Sequence, residues 1–347
     1  MGNQFNRREF IRAAGAGAMA LGLAGRSFPA AGSRPQGSKR IGIIGLYTSH
    51  STAFTKTLND PSAGPQFQGY KVVAAYPRGS RDIQSSVERI PGYTEDVKKM
   101  GVEIVESIDE LLRKVDFVLL ETNDGRLHLE QAIPVMKAGK RMFIDKPVAA
   151  SLDDTIAIFN AAEYYKTPLF SASSLRYIAG AKEIAEGAIG KVIGAEVYSP
   201  ATLEKTHPDL YWYGVHGVET LFTIMGTGCK TVSRAFTPGT DLVTGIWEDG
   251  RIGTMRGIRT GRSGYGGVVY GEKEIRTLGS YAGYDPLLIE IVRFFTTGVL
   301  PVRPEETLEI FAFMTAAEES RQKGGAPVQM EKVIEKARKK AAKINFK

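Results

Sequence analysis

A single cysteine, Cys229, in 347 residues excludes an intrachain disulfide framework, and a core of this size needs none. Long apolar runs are missing too. The stretch from Ala13 to Gly25 falls short of the ~20 residues that a bilayer-spanning helix requires. Basic residues are scattered instead of clustering with aromatic ones, which argues against a nucleic-acid surface despite a formal charge of +7. No internal repeat is evident, so the chain is not a solenoid or propeller array.

What is present begins with Asn6-Arg7-Arg8-Glu9-Phe10-Ile11-Arg12, paired arginines ahead of a weakly apolar Ala/Gly/Leu run. That layout predicts a twin-arginine export signal over residues 1–30, cleaved near Ala30 and followed by a flexible linker over 31–38. Its removal takes away four arginines and one glutamate and lowers the formal charge from +7 to +4. The mature protein is then expected in the periplasm or otherwise exported, with no membrane span. Roughly 310 remaining residues suggest two domains, at ~150 residues each.

Apolar runs at Arg40–Leu46, Lys71–Tyr76, Asp116–Glu121 and Arg141–Ile144 alternate with helical patterns, one of them opened by the capping box Ser107-Ile108-Asp109-Glu110. This predicts a doubly wound parallel sheet over residues 39–148. A helix capped at Ser151 and a strand near Pro168–Ala172 follow. From Lys191 to Leu278, glycine-separated β-rich runs predict an open, mostly antiparallel sheet within a second domain, residues 149–325. Asp285-Pro286 and Arg303-Pro304 mark the starts of two long helices, and residues 326–347 form a tail helix.

Strand, turn and helix around Gly45 are the layout that offers backbone N–H groups to a pyrophosphate, with Thr48 and His50 as further contacts. In a G-x-G-x-x-G frame, however, Tyr47 and His50 replace the second and third glycines. An ordinary strand-to-helix turn capped by His50 and Ser51 is the plainer alternative. The second strand runs into Tyr76-Pro77-Arg78-Gly79-Ser80-Arg81 and lacks the acid that would hold the ribose hydroxyls of NAD. Arg78 and Arg81 could receive a 2'-phosphate, which tilts the choice between NAD and NADP towards NADP.

Three later segments carry a family resemblance. Thr122-Asn123 with His128, then Asp145-Lys146-Pro147, then Leu175-Arg176-Tyr177 followed by Gly187-Ala188-Ile189-Gly190-Lys191-Val192 resemble, in order and spacing, the Gfo/Idh/MocA oxidoreductases. Asp145 stands where that family has glutamate. The resemblance implies a Rossmann domain followed by an α/β domain, with Thr122, Asn123 and His128 beside the nicotinamide ribose. It also implies a homodimer or homotetramer paired through the open sheet.

Oxidising a secondary alcohol requires loss of a proton as hydride leaves, so an ammonium that stabilises the developing alkoxide lowers the barrier. Lys146 suits this and also counts among the cofactor contacts. The segment Tyr211-Trp212-Tyr213-Gly214-Val215-His216 resembles the family's Asp-x-x-x-His, in which histidine accepts the proton; Trp212 stands in place of the aspartate. His216 is accordingly the expected base, with Tyr213 as a possible relay. Tyr211, Trp212 and Arg176 are the expected substrate contacts. His207, Asp209, His216 and Glu219 include usable metal-ligand types but form no dense motif, and no metal is expected.

The function so implied is an exported NAD(P)-dependent oxidoreductase acting on a secondary alcohol or ketone of a sugar, polyol or derivative. A glycoside-cleaving enzyme that oxidises transiently and retains its nucleotide is the first alternative. A non-catalytic sugar-binding relative is the second.

Overall fold

The computed structural model describes residues 39–346; the expected signal and linker lie outside the described residues. The first half of the fold runs β1 (Arg40–Ile44), α1 (Ser49–Asn59), β2 (Lys71–Tyr76), α2 (Gln84–Val87), α3 (Ile90–Lys99), β3 (Glu103–Ile104), α4 (Ile108–Lys114), β4 (Phe117–Leu120), α5 (His128–Lys137), β5 (Met142–Ile144), α6 (Leu152–Tyr164) and β6 (Leu169–Ser171). Its six strands pair in parallel in the order β3-β2-β1-β4-β5-β6. The order reverses between β1 and β4, so a crevice opens at their carboxyl ends.

Period-two side-chain alternation explains why these strands are apolar throughout. Ile41, Ile43, Phe117, Leu119 and Phe143 pack on one face against Phe54 and Leu58 of α1. Ile44, Val118, Leu120, Met142 and Ile144 pack on the other, against Leu111 of α4 and Val135 and Met136 of α5. At the start of α4, Ser107 accepts from the Glu110 amide at 3.1 Å, while Glu110 turns back to the amide of Glu106.

The second half adds α7 (Ala181–Ala185), β7 (Val192–Pro200), α8 (Val215–Met225), β8 (Cys229–Thr237), β9 (Thr240–Trp247), β10 (Ile252–Ile258), β11 (Gly266–Gly271), β12 (Ile275–Thr277), α9 (Asp285–Thr297), α10 (Pro304–Gln322), β13 (Val328–Gln329) and α11 (Met330–Ala341). Its seven strands lie in the order β12-β11-β7-β10-β9-β8-β13, antiparallel except for the parallel pair β7 and β10. One face buries Val197, Val243, Trp247 and Met255 together with Leu221 and Phe222 of α8 and Phe313 of α10. The other face is uncovered, leaving Tyr198, Ile246, Ile252 and Ile275 between 43% and 65% exposed.

Two features tie this half to the site. Helix α9 returns to the first sheet, where Leu287, Ile291, Phe294 and Phe295 join the cluster around Ile41 and Phe117. Ahead of α8, the turn Leu210–Gly214 is anchored by Asp209, whose carboxylate accepts from the buried Arg234 guanidinium at 2.8 Å. Arg234 also donates to Asp241 (2.8 Å) and Glu318 (2.7 Å), so its charge is balanced where water is excluded. Among the described residues, no helix is long and apolar enough to cross a membrane.

Candidate active site

Gly45 closes β1 with φ +86°, and a Cβ there would come within 2.3 Å of Thr122 Oγ1 and 2.7 Å of the Thr122 amide. Only glycine meets both demands. Thr48 precedes α1 but turns its hydroxyl to Glu121 Oε2 (3.2 Å), and no side chain caps the first turn of that helix. The amides of that turn are the groups an anion would use. Thr122 Oγ1, buried beside Gly45, has no hydrogen-bond partner.

Tyr47 does not project into the turn. Its ring lies buried under Gly79, where a Cβ would come within 2.6 Å of it, and its hydroxyl donates to Ser80 O at 3.0 Å. Beyond it, a groove of about 650 Å³ runs past Tyr76, Arg78, Gly79, Arg81, Asp124 and Arg126. Arg78 pairs with Glu106 at 2.6 Å, both well exposed; Arg126 is held by Asp82 and Asp124, each at 2.6 Å. Asn123 donates to Ser86 Oγ (2.9 Å), and His128 is clamped between the carbonyls of Thr122 and Val148. These two residues therefore brace the loop after β4. The first turn of α1, uncapped by any side chain, the orphaned Thr122 hydroxyl and the groove fit a dinucleotide laid across the strand ends.

A buried charged cluster occupies the carboxyl ends of β1, β4 and β5. Asp145 is fully buried; its Oδ1 lies 3.0 Å from His50 Nδ1 and its Oδ2 3.4 Å from Lys146 Nζ. Glu121, also fully buried, puts Oε2 3.9 Å from His50 Nδ1, while Oε1 has no partner. Burial opposes the charge of Asp145, but the neighbouring His50 and Lys146 outweigh it and hold the carboxyl well below its ordinary range. Glu121 moves the other way, since burial and the Asp145 charge both favour its neutral form. Burial likewise works against the Lys146 ammonium, yet Asp145 keeps its affinity for the proton above the ordinary lysine value. The cluster sends two carboxyl groups in opposite directions and keeps the lysine charged.

From the second half of the fold comes His216, on the first turn of α8, with Nδ1 2.6 Å from Ser173 Oγ. Burial, then the positive charges of Lys146 and His50, hold this imidazole well below its usual pKa. Lys146 also feels Tyr213, so the ammonium, the imidazole and the phenol share one electrostatic environment. Four tyrosines connect the two histidines. Tyr213 stands 5.0 Å from the His216 ring, Tyr265 donates to the Tyr213 hydroxyl at 3.3 Å, Tyr281 follows at 6.0 Å, and Tyr284 lies 6.0 Å further on and 4.5 Å from His50. Burial raises the pKa of Tyr265 and Tyr281, so both remain neutral hydroxyls.

Other expected contacts lie elsewhere. Tyr211 is 1% exposed, with its hydroxyl 2.6 Å from Thr315 on α10, so it faces the core. Trp212 packs 5.1 Å from His207, which lies 3.4 Å from Asp124, so both sit against the loop after β4. Arg176 is committed to Glu219 at 3.0 Å and to Glu306. His207, Asp209, His216 and Glu219, weighed above as ligand types, each take a different partner. Glu121, Ser173, Tyr265, Tyr281 and Tyr284 join the site without belonging to any of the motifs above. An acid directly after the apolar run Phe117–Leu120 was a usable signal for Glu121; the tyrosines, scattered through a glycine-rich stretch, offered none.

The fold joins a six-stranded parallel sheet of the Rossmann type to a second, mixed sheet, with the charged cluster at the strand ends of the first. Residues 39–172 match the Gfo/Idh/MocA family model, described as an oxidoreductase family with an NAD-binding Rossmann fold. The chain is 35% identical over 122 residues to 1,5-anhydro-D-fructose reductase from Ensifer adhaerens, covering 33% of this chain and 36% of that one. It spans about two fifths of the length of the curated relatives it matches. Over nearly the whole fold it resembles a probable dehydrogenase from Thermotoga maritima, with TM-score 0.70, 21% identity, and 85% and 100% of the two chains covered. It also resembles scyllo-inositol dehydrogenase from Lactobacillus casei, solved with NAD(H) and scyllo-inositol, with TM-score 0.66, 15% identity, and coverage of 85% and 100%.

Proposed function

We propose that this is an exported NAD(P)-dependent oxidoreductase that exchanges hydride with a secondary alcohol or ketone of a sugar or polyol. The observation that carries this reading is that Lys146, 3.4 Å from Asp145, and His216, 2.6 Å from Ser173, serve one tyrosine-walled site, with burial and charge pushing their proton affinities apart. Opposed protonation states divide the work. With Nδ1–H donating to Ser173, His216 keeps a lone pair on Nε2 and takes the substrate hydroxyl proton. Lys146, held charged by Asp145, stabilises the alkoxide as it forms. A bound nicotinamide supplies the hydride acceptor at C4.

The tyrosines suit a sugar or polyol, because aromatic faces pack against C–H groups while phenol hydroxyls meet ring hydroxyls. Arg78 and Arg81, with no acid closing β2, favour NADP over NAD. The uncovered sheet face, with Tyr198, Ile246 and Ile252, is the surface through which two copies would pair. Export of a folded chain implies that nucleotide is loaded beforehand and retained. Mass spectrometry of what leaves the natively purified protein on unfolding tests the proposal: NADP or NAD is expected. A protein that releases neither, and binds neither when it is added, would contradict it.

A further inference from the structure

His50 comes from the first turn of α1 and Glu121 and Asp145 follow the ends of β4 and β5, yet each offers a ligand atom within 4.8 Å of the other two. All three are buried. Lys146 engages only Oδ2 of Asp145, which leaves Oδ1 on the side of His50 and Glu121. The 3.0 Å and 3.9 Å separations from His50 Nδ1 match the edges of a coordination shell, since ligands bonded at ~2.1 Å lie roughly 3–4 Å apart. Glu121 Oε2 accepts one hydrogen bond, from Thr48, and Oε1, wholly buried, has no partner, so this carboxylate has acceptor capacity left for an ion.

We propose that His50, Glu121 and Asp145 form a binding site for one divalent transition-metal ion beneath the first turn of the nucleotide domain. One imidazole nitrogen with two carboxylate oxygens suits Zn²⁺, Co²⁺ or Mn²⁺ and not the all-oxygen shells of Ca²⁺ or Mg²⁺. The ion takes the place of the hydrogen bond between His50 Nδ1 and Asp145 Oδ1. Thr48, donating to Glu121 Oε2, and Lys146, donating to Asp145 Oδ2, orient the two carboxylates from outside. Glu121 must swing inwards by a fraction of the 4.8 Å spread to close the shell. The site does not depend on the redox reading, because its occupancy is read without turnover.

The test uses the tag-free full chain, stripped with chelator, dialysed and titrated with Zn²⁺, with bound metal counted by elemental analysis. Expected are one retained Zn²⁺ per chain and Co²⁺ absorption bands in the visible region that Zn²⁺ abolishes. His50→Gln and Glu121→Gln should each weaken binding roughly 100-fold. A wild-type chain that retains no Zn²⁺ and gives no Co²⁺ bands overturns the proposal, whatever the variants do. So does retention of one ion by folded variants with unchanged affinity, which would place the metal elsewhere. A closed cluster in which His50 hydrogen-bonds to Asp145 without an ion is the arrangement those results would leave.

Discussion

Ser173 Oγ lies 2.6 Å from His216 Nδ1 and also accepts from the Leu175 amide at 3.1 Å. A hydroxyl fixed by the backbone thus orients the imidazole. Ser173→Ala frees the ring and is expected to lower turnover by about one to two orders of magnitude, with a stability loss of ~1 kcal/mol. Steady-state kinetics on a polyol panel beside thermal melts check this; turnover within twofold of wild type would show that the serine does not position the base.

His216 also predicts a pH dependence. Its folded pKa is depressed by burial and by the charges of Lys146 and His50, whereas in the unfolded chain it titrates near ~6.5. Between those values the unfolded chain binds the additional proton, so the stability linked to this group is complete above pH ~6.5 and lost as pH falls towards the folded value. His216→Gln removes the linkage. The gap between the melting temperatures of wild type and variant should therefore narrow from about pH 7.5 to about pH 5. Parallel curves would contradict the assignment.

Arg78 is spent on an exposed ion pair with Glu106, which is worth no more than ~1 kcal/mol and is easily exchanged for a phosphate. Arg78→Ala should weaken NADPH binding roughly tenfold and leave NADH binding within about twofold. Fluorescence titration of both nucleotides measures the ratio. An equal loss for both would assign the arginine to general steering.

Much of this architecture could be read from residues alone, and the parts that could not share one physical cause. Continuous apolar strands such as Phe117–Leu120, the glycine turn at Gly45 and prolines such as Pro304 at helix starts are local signals, legible without neighbours. Strands as short as Glu103–Ile104 and Val328–Gln329 are set by their partners and carry no period. The site divides in the same way. Lys146 and His216 sit in recognisable segments. The contact between His50 and Asp145 spans 95 residues and that between Ser49 and Tyr284 spans 235, so neither leaves a sequence signature. Tyr211 could be recognised as an aromatic residue beside the base, but only packing shows that its hydroxyl turns away to Thr315.

The division of labour between lysine and histidine is tested most directly by Lys146→Ala, assayed for nucleotide affinity and for single-turnover hydride transfer with one responsive polyol. Nucleotide affinity is expected to stay within about threefold, while hydride transfer falls roughly a thousandfold. Transfer within tenfold of wild type would contradict the claim that this ammonium stabilises the forming alkoxide.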